Sequence, residues 1–351
     1  MFTFEYTGNL HIHTMHSDGG RHVPEIAGSA EKAGLDFIII NDHDFMINTL
    51  HIDEEGFYGK VLVLVGSEIG ERFHHYLAFD IKEMISSRDR SSPQETIDAV
   101  NEQGGFGVLA HPFEKGMPFV TKSIAYTWND LSVTGYTGIC IWNFASRWKE
   151  RIKTFLHGIY CMVFKHQSLK GPSPRTMAFW DEQCRKARIA AIGGSDAHGT
   201  HFKWGLFNFR PLSYDDFFRS INIHIFLNKW LPLDFEKAKG AVYGAIREGR
   251  LFIAHDGLSP SKGFRFDFTA DDGSDLVMGE EAQFREGNLV VEIPSEGEIR
   301  LLKDGTPVFV VKGSEAVHRV EEKGVYRVEV YKKVFPFGWR PWIFSNPIYL
   351  R

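Results

Sequence analysis

Gly8-Asn9-Leu10-His11-Ile12-His13 is the stretch on which the reading of this chain turns. Side chains alternate across an extended strand, so His11 and His13 share one face while Leu10 and Ile12 share the other. One face packs and the other is left to bind. The segments 35–40, 61–66, 74–79, 106–110 and 189–193 are also short, apolar and often β-branched, and are predicted as strands. Helical stretches lie between several of them. Pro24 stands near one helix start with Gly34 after its end, and Ser92-Pro93 opens another that closes at Gly104-Gly105. Alternating strands and helices predict a parallel α/β architecture.

A lone His-x-His pair is weak evidence for a metal, but this pair has company. Ser17-Asp18-Gly19 follows His13, Asp42-His43 follows the second predicted strand, Ser67-Glu68 the third, and His75 lies in the next. His111-Pro112 and Ser195-Asp196-Ala197-His198 follow two later ones. In a barrel the C-terminal strand ends share one rim, so groups distant in sequence converge there on one concave site. Imidazole and carboxylate without thiolate suit zinc, manganese or iron. The candidate ligands are His11, His13, Asp18, His43, Glu68, His75, His111, Asp196 and His198. Six histidines and three carboxylates exceed what one tetrahedral ion can use, so two or three divalent ions are expected. His74 adjoins His75 and offers an alternative ligand there.

With 351 residues the chain has room for one barrel of roughly 250 residues and a compact partner of about 90. Hydrophobic residues make up 43% and charged residues 24%, which disfavours disorder. A formal charge of -5 supplies no basic field for duplex nucleic acid. Cys140, Cys161 and Cys184 are irregularly spaced and are expected to be reduced and buried. No basic leader opens the chain, and no apolar run reaches the roughly 18 residues that span a bilayer. A cytoplasmic protein without a membrane partner is expected; the sequence is silent on oligomeric state. Between about 114 and 174 the strand–helix rhythm breaks around Tyr126, Trp128, Tyr136, Trp142 and Trp148, with a helix expected near 145–165, as in an insertion or a lid. Beyond Ser259-Pro260, alternating runs separated by Gly and Asp turns predict an all-β, sandwich-like module. The expected division is 1–259 and 260–351.

The motifs resemble those of the polymerase and histidinol phosphatase (PHP) superfamily of metal-dependent phosphoesterases, over roughly residues 8 to 257. The residues that carry the resemblance are His11-Ile12-His13-Thr14 with Ser17-Asp18-Gly19, Asp42-His43, Gly66-Ser67-Glu68 with His75-Tyr76-Leu77, Ala110-His111-Pro112, and Gly194-Ser195-Asp196-Ala197-His198. Asn41 stands where the family usually has threonine. The resemblance implies a distorted (β/α)7, TIM-like barrel. It further implies one ion held by His11, His13, Glu68 and Asp196, a second by Glu68, His75 and His111, and a third by Asp18, His43 and His198. Glu68 would bridge, and His75 is favoured over His74 because it precedes Leu77 by two residues as in the family pattern. Gly8-Asn9-Leu10-His11 and Trp342-Ile343-Phe344-Ser345-Asn346-Pro347 also look like the branch that includes carbaryl-hydrolase-type enzymes, which often carries a β-rich tail.

The expected activity is hydrolysis of a phosphomonoester or short nucleotide phosphodiester by a metal-bridging hydroxide, with Glu68, His198 and Asp18 acting through the ions. Carbamate or ester hydrolysis on the same site, and an inactive metal-binding module, are the alternatives. Three ions bring about +6 against three carboxylates and one hydroxide, leaving about +2, which a phosphate dianion neutralises and a neutral carbamate does not. Arg21, His22, Arg72 and His201, with His16 and Lys203, are candidates for substrate contact. Asp42 or Asp44 could orient a ligand histidine, and His255 is assigned to structure. There is no glycine-rich phosphate loop, no Gly-x-Ser-x-Gly elbow and no dinucleotide fingerprint.

Overall fold

The computed structural model describes residues 4–120, 125–199 and 212–351, together with the backbone of 202–204 and 207–209. Three apolar strands, Phe4–Ile12, Phe37–His43 and Val61–Ile69, lie side by side and parallel. The pairing of Phe37 with Leu62 through His43 with Glu68 carries both acidic and imidazole groups to the same end. The helix Val23–Ala33 makes the first crossover; Gly34 ends it in a left-handed turn (φ 79°) that a side chain would strain.

Beyond Val61–Ile69 the sheet departs from the parallel expectation. Tyr76–Phe79 runs antiparallel to it, and Phe106–Leu109 antiparallel to that. Only residues 70–75 separate the first two of these strands. A parallel crossover needs a dozen or more residues, so a return hairpin is the available path. Gly138–Asn143 and Ala190–Gly194 then follow in parallel. On the other side of Phe4–Ile12, Ile221–Leu227 and Leu251–His255 add antiparallel strands.

The closed barrel implied by the family resemblance is not formed; the sheet is mixed and open. Ala190–Gly194 has no ladder to Phe4–Ile12. Among the described residues the two edges are bridged where the chain after Gly194 passes the end of the first strand, at Ile12 and Ala197. There Ser195 N–H donates to Leu10 O (3.1 Å), Ala197 N–H to His11 O (3.1 Å) and His13 N–H to Ala197 O (2.9 Å).

The 114–174 stretch is not wholly outside the sheet, since Gly138–Asn143 is one of its strands. Trp128, Tyr136, Trp142 and Trp148 are buried in the main core, and the expected single helix is two, Phe144–Lys149 and Phe155–Val163. All three cysteines are buried and unpaired by disulfide. From Arg265 onward every regular element is a strand. These strands continue the same sheet, because Gly338–Ser345 pairs with Leu251–His255, and they enclose a second hydrophobic cluster around Phe252, Phe266, Val328 and Trp342. Among the described residues no helix is long and apolar enough to cross a membrane.

Candidate metal centre

Three strand ends and four loops bring the predicted residues together. His11 and His13 sit at the end of Phe4–Ile12, where the pairing with the second strand slips between Leu10 and Ile12. At the slip His11 adopts a left-handed backbone (φ 64°), and its N–H donates to Asn41 Oδ1 (3.1 Å). His111 (φ 26°) and Asp196 (φ 55°) are left-handed too. Such conformations cost about 1–3 kcal/mol each and persist only where surrounding bonds over-determine them, which is why they collect at functional sites.

Glu68, 1% exposed, is the hub. Its Oε2 lies 3.0 Å from His11 Nε2, 3.3 Å from His13 Nε2 and 3.2 Å from His43 Nδ1. Its Oε1 lies 2.7 Å from His75 Nδ1 and 3.3 Å from His111 Nε2. Asp196 Oδ1 is 3.5 Å from each of His11 Nε2, His13 Nε2 and His198 Nδ1. Asp18 Oδ1 faces His198 Nε2 (3.3 Å), His13 Nδ1 (3.8 Å) and His43 Nε2 (3.8 Å). Four overlapping sets of potential ligand atoms follow: His13, Asp18, His43 and His198; His11, Glu68 and His111; His11, His13 and Asp196; His43, Glu68 and His75.

The donor set fits divalent ions. Both ring nitrogens of His11 and of His13, with His43 Nδ1 and His75 Nε2, are buried and make no hydrogen bond. A buried polar atom left so costs on the order of 1–3 kcal/mol, which coordination removes. Two ligands each about 2.1 Å from one ion stand roughly 3.0–3.4 Å apart, close to the observed nitrogen–oxygen separations around Glu68.

Electrostatics point the same way. Burial opposes ionisation of Glu68, yet the His11, His75 and His43 rings hold its carboxyl well below the usual range. Asp196 is likewise held low against burial by His11 and His13. Asp18 is lowered to about 2, burial being outweighed by His198, His13 and His43. Burial and the neighbouring His13 push His43 down to about 3, while His111, despite burial, is raised to about 9 by Glu68 and Glu114. His13 is raised well above its ordinary range against burial by Asp196 and Glu68. Carboxylates held anionic in a buried place among imidazoles favour a cation there.

Several supports lay outside the sequence reading. Among the described residues neither Asp42 nor Asp44 hydrogen-bonds a ligand imidazole. Asp42 accepts from Thr14 N–H and Thr14 Oγ (both 2.7 Å) and from Ser17, shaping the turn that carries Asp18. Asp44 accepts from Gly70 N–H (2.8 Å) and Ser87 N–H (2.6 Å). The carboxylate beside a ligand ring is Glu114, 3.4 Å from His111 Nδ1 and paired with Lys149; its place three residues after His111 was the available signal. Asn143 Nδ2 donates to Asp196 Oδ2 (3.3 Å). Tyr214 Oη accepts from Gly20 N–H (3.1 Å) and lies 2.6 Å from His13 O and 2.9 Å from His198 O, joining three loops of the site.

His75 faces Glu68, whereas His74 Nε2 accepts from Asn129 and Asp130 N–H (3.1 Å each) and points away. Of the substrate candidates, Arg21 donates to Ser29 Oγ (2.7 Å), and His22 stands at the N-cap of Val23–Ala33, its N–H bonded to Glu25 Oε2. Arg72 is exposed on the loop between Glu68 and His75, against the Phe73 ring. His16 pairs with Glu54 (2.9 Å). His201 and the Lys203 side chain lie outside the described residues. His255 is buried with its Nε2 3.2 Å from His166 Nδ1, apart from the cluster.

The fold and site define a mixed α/β protein with a candidate metal centre. The chain is 33% identical over 123 residues to the uncharacterized protein MJ1587 of Methanocaldococcus jannaschii, spanning 30% of this chain and 67% of the archaeal one, and belongs to the same family. No protein-family profile matches it. Among solved structures, a two-domain protein of Bacteroides vulgatus containing a predicted PHP-like metal-dependent phosphoesterase aligns over 97% of this chain and 95% of its own, at 15% identity and a TM-score of 0.47. A protein of Bifidobacterium adolescentis described as a candidate metal-dependent phosphoesterase aligns over 55% and 87%, at 16% identity and a TM-score of 0.33. Both are distant likenesses, and the reading of the site stands on its own geometry.

Proposed function

We propose that this protein is a metal-dependent phosphoesterase of the PHP type, acting on a small phosphomonoester or a short nucleotide. The observation that carries the reading is Glu68: a buried carboxylate with five imidazole nitrogens at 2.7–3.3 Å, three on one oxygen and two on the other. That division suits a bridging ligand between two ions. His11, His13 and Asp196 would complete one position, His75 and His111 a second, and Asp18, His43 and His198 a third. Bound divalent ions supply Lewis acidity and lower the pKa of water towards neutrality.

The chain's own groups supply placement. His11, His13 and Glu68 are closed to solvent, while the Asp18 and His198 side chains are 40% and 26% exposed. Substrate therefore approaches from the Asp18 and His198 side. Glu114 and Tyr126 O hold His111 by its Nδ1, leaving Nε2 to the centre. All nine ligands precede residue 199, so 1–259 is taken as the hydrolase unit and 260–351 as a β-rich appendage.

The test joins elemental analysis of purified protein to hydrolysis assays. Two or three metal ions per chain, with turnover of p-nitrophenyl phosphate or a dinucleotide but not of naphthyl methylcarbamate, is the expected result. Glu68→Gln should lower both metal content and turnover by about a hundredfold. Metal-loaded protein that cleaves only the carbamate, or neither substrate, would overturn the reading. Unaltered metal stoichiometry in the variant would remove the bridging role.

A further inference from the structure

A helix on a soluble surface normally turns its apolar stripe inward. Phe155–Val163 does the reverse. It buries Cys161, while Phe155 (63% exposed), Leu156 (76%), Ile159 (45%) and Val163 (67%) face solvent. These positions fall within about 100° of arc on a 3.6-residue helix, so they form one continuous outer face. The helix is fastened from behind, Trp148 Nε1 donating to Cys161 O (3.1 Å).

A second element, remote in sequence, extends this face. Phe335, at the turn between the strands Gly324–Val334 and Gly338–Ser345, is 95% exposed. The two elements are joined through Phe164 and Phe337, whose ring centroids are 5.2 Å apart, and through Arg340 Nε, which donates to Gln167 O (2.7 Å). Basic residues adjoin them: Arg151 and Lys153 precede the helix, Lys333 precedes Phe335, and Lys170 lies near Arg151 and Arg340. Arg151, Lys153, Lys170, Lys333 and Arg340 have no carboxylate partner among the described residues, in a protein whose formal charge is -5. Burial and the nearby Arg340 and Arg151 hold the Lys170 ammonium below its ordinary range, as expected of cations crowded without anions.

We propose that this face docks the protein on an anionic phospholipid surface, the Phe155–Val163 helix lying along the headgroup boundary and Phe335 inserting beside it. The basic and apolar halves match the two layers of such an interface, acidic headgroups above acyl chains. A second copy fits poorly, because a two-fold contact sets the same patch against itself and cation against cation. The apolar side chains also project outward, and protein partners grip their anchors in pockets. This departs from the expectation of no membrane partner, which rested on the lack of a spanning segment; surface association needs none.

Full-length protein pelleted with vesicles of phosphatidylcholine, alone or with about a third phosphatidylserine, tests the proposal. EDTA is present throughout, so the outcome is independent of the hydrolase reading. Binding should require phosphatidylserine and fall as salt rises from about 0.1 to about 0.5 M. It should weaken at least about tenfold in Leu156→Ser/Phe335→Ser and in Lys153→Glu/Lys170→Glu. All four side chains are exposed, and unchanged circular dichroism and Tm would show that the variants fold. Failure of the wild type to pellet with anionic vesicles overturns the proposal. So does retention on polyglutamate, indifferent to the apolar substitutions and without vesicle binding, which assigns the face to an acidic protein. A dimer in sedimentation equilibrium that Leu156→Ser/Phe335→Ser dissolves, again without vesicle binding, assigns it to a second copy.

Discussion

His11 holds its left-handed backbone because Asn41 Oδ1 takes its N–H and Ala197 N–H takes its carbonyl. Asn41→Leu removes the first of these in a fully buried place, and should cost on the order of 1–3 kcal/mol in urea unfolding. Metal affinity, measured by titration with a competing chelator, should fall with it, because the His11 ring is aimed by that bond. At the opposite end of the first strand His224 is caught between Glu5 (2.9 Å) and Asp256 (3.0 Å). Against burial, Asp256 and Glu5 raise it from its ordinary 6.5 to about 9. Its contribution to stability is therefore complete below pH 6.5 and lost as pH rises through 9. Thermal melts of the wild type should show Tm falling over that window, and His224→Gln should flatten this part of the profile. A variant that keeps the full alkaline slope would show that another group causes it. Most of the residues that cluster were legible because they stand in or just after an apolar, β-branched run; His75 instead precedes the strand Tyr76–Phe79. The substrate candidates were not, since nothing in the local sequence says that Arg21 will find Ser29 or that His22 will cap a helix.

At the scale of elements, the centre depends on strands approaching closely at their ends. A Cβ at Gly66 would stand 2.2 Å from Ala78 O and 2.9 Å from Asn41 Nδ2. Gly66→Ala should force the Val61–Ile69 and Tyr76–Phe79 strands apart and disturb the asparagine that supports His11. We expect a loss of about 1–3 kcal/mol in stability, with metal content falling in the protein that remains folded. A Tm and metal content equal to the wild type would disprove the close approach. Strand periodicity foretold most of the metal-bearing strands. It did not foretell their directions, which follow from connection length, nor the strand Gly138–Asn143, hidden in a stretch whose aromatics suggested a separate packing unit. Ile221–Leu227 was also missed: its polar Asn222 and His224 are buried by partners that only pairing supplies.

Across the whole molecule, Asn346 ties the C-terminal strands to the starts of the Ala190–Gly194 and Leu251–His255 strands. Its Oδ1 accepts Ala191 N–H (2.7 Å), and its Nδ2 donates to Ala191 O (2.9 Å) and Leu251 O (3.0 Å). Val325, Phe344 and Tyr349 belong to the main core. A chain ending at residue 259 would expose that surface and leave the Leu251–His255 strand without one of its two neighbours, Gly338–Ser345. We expect residues 1–259 alone to be insoluble or to lack a cooperative thermal transition, and Asn346→Ala in the full chain to cost on the order of 3 kcal/mol. A soluble, cooperatively melting 1–259 fragment would show instead that the boundary near 260 separates independent folding units.

The sequence by itself determined that metal-type residues stand at the ends of apolar strands, because alternation and spacing are properties of neighbours along the chain. It likewise determined that the last ninety or so residues are β-structured, since turn residues and period-two runs act locally. That Glu68 stands among five imidazoles, that the sheet is open and mixed, and that Asn41, Glu114 and Tyr214 support the centre came from the packing of distant segments. Those outcomes depend on register, on the short 70–75 return and on contacts between segments hundreds of residues apart, where no local pattern constrains which side chain meets which.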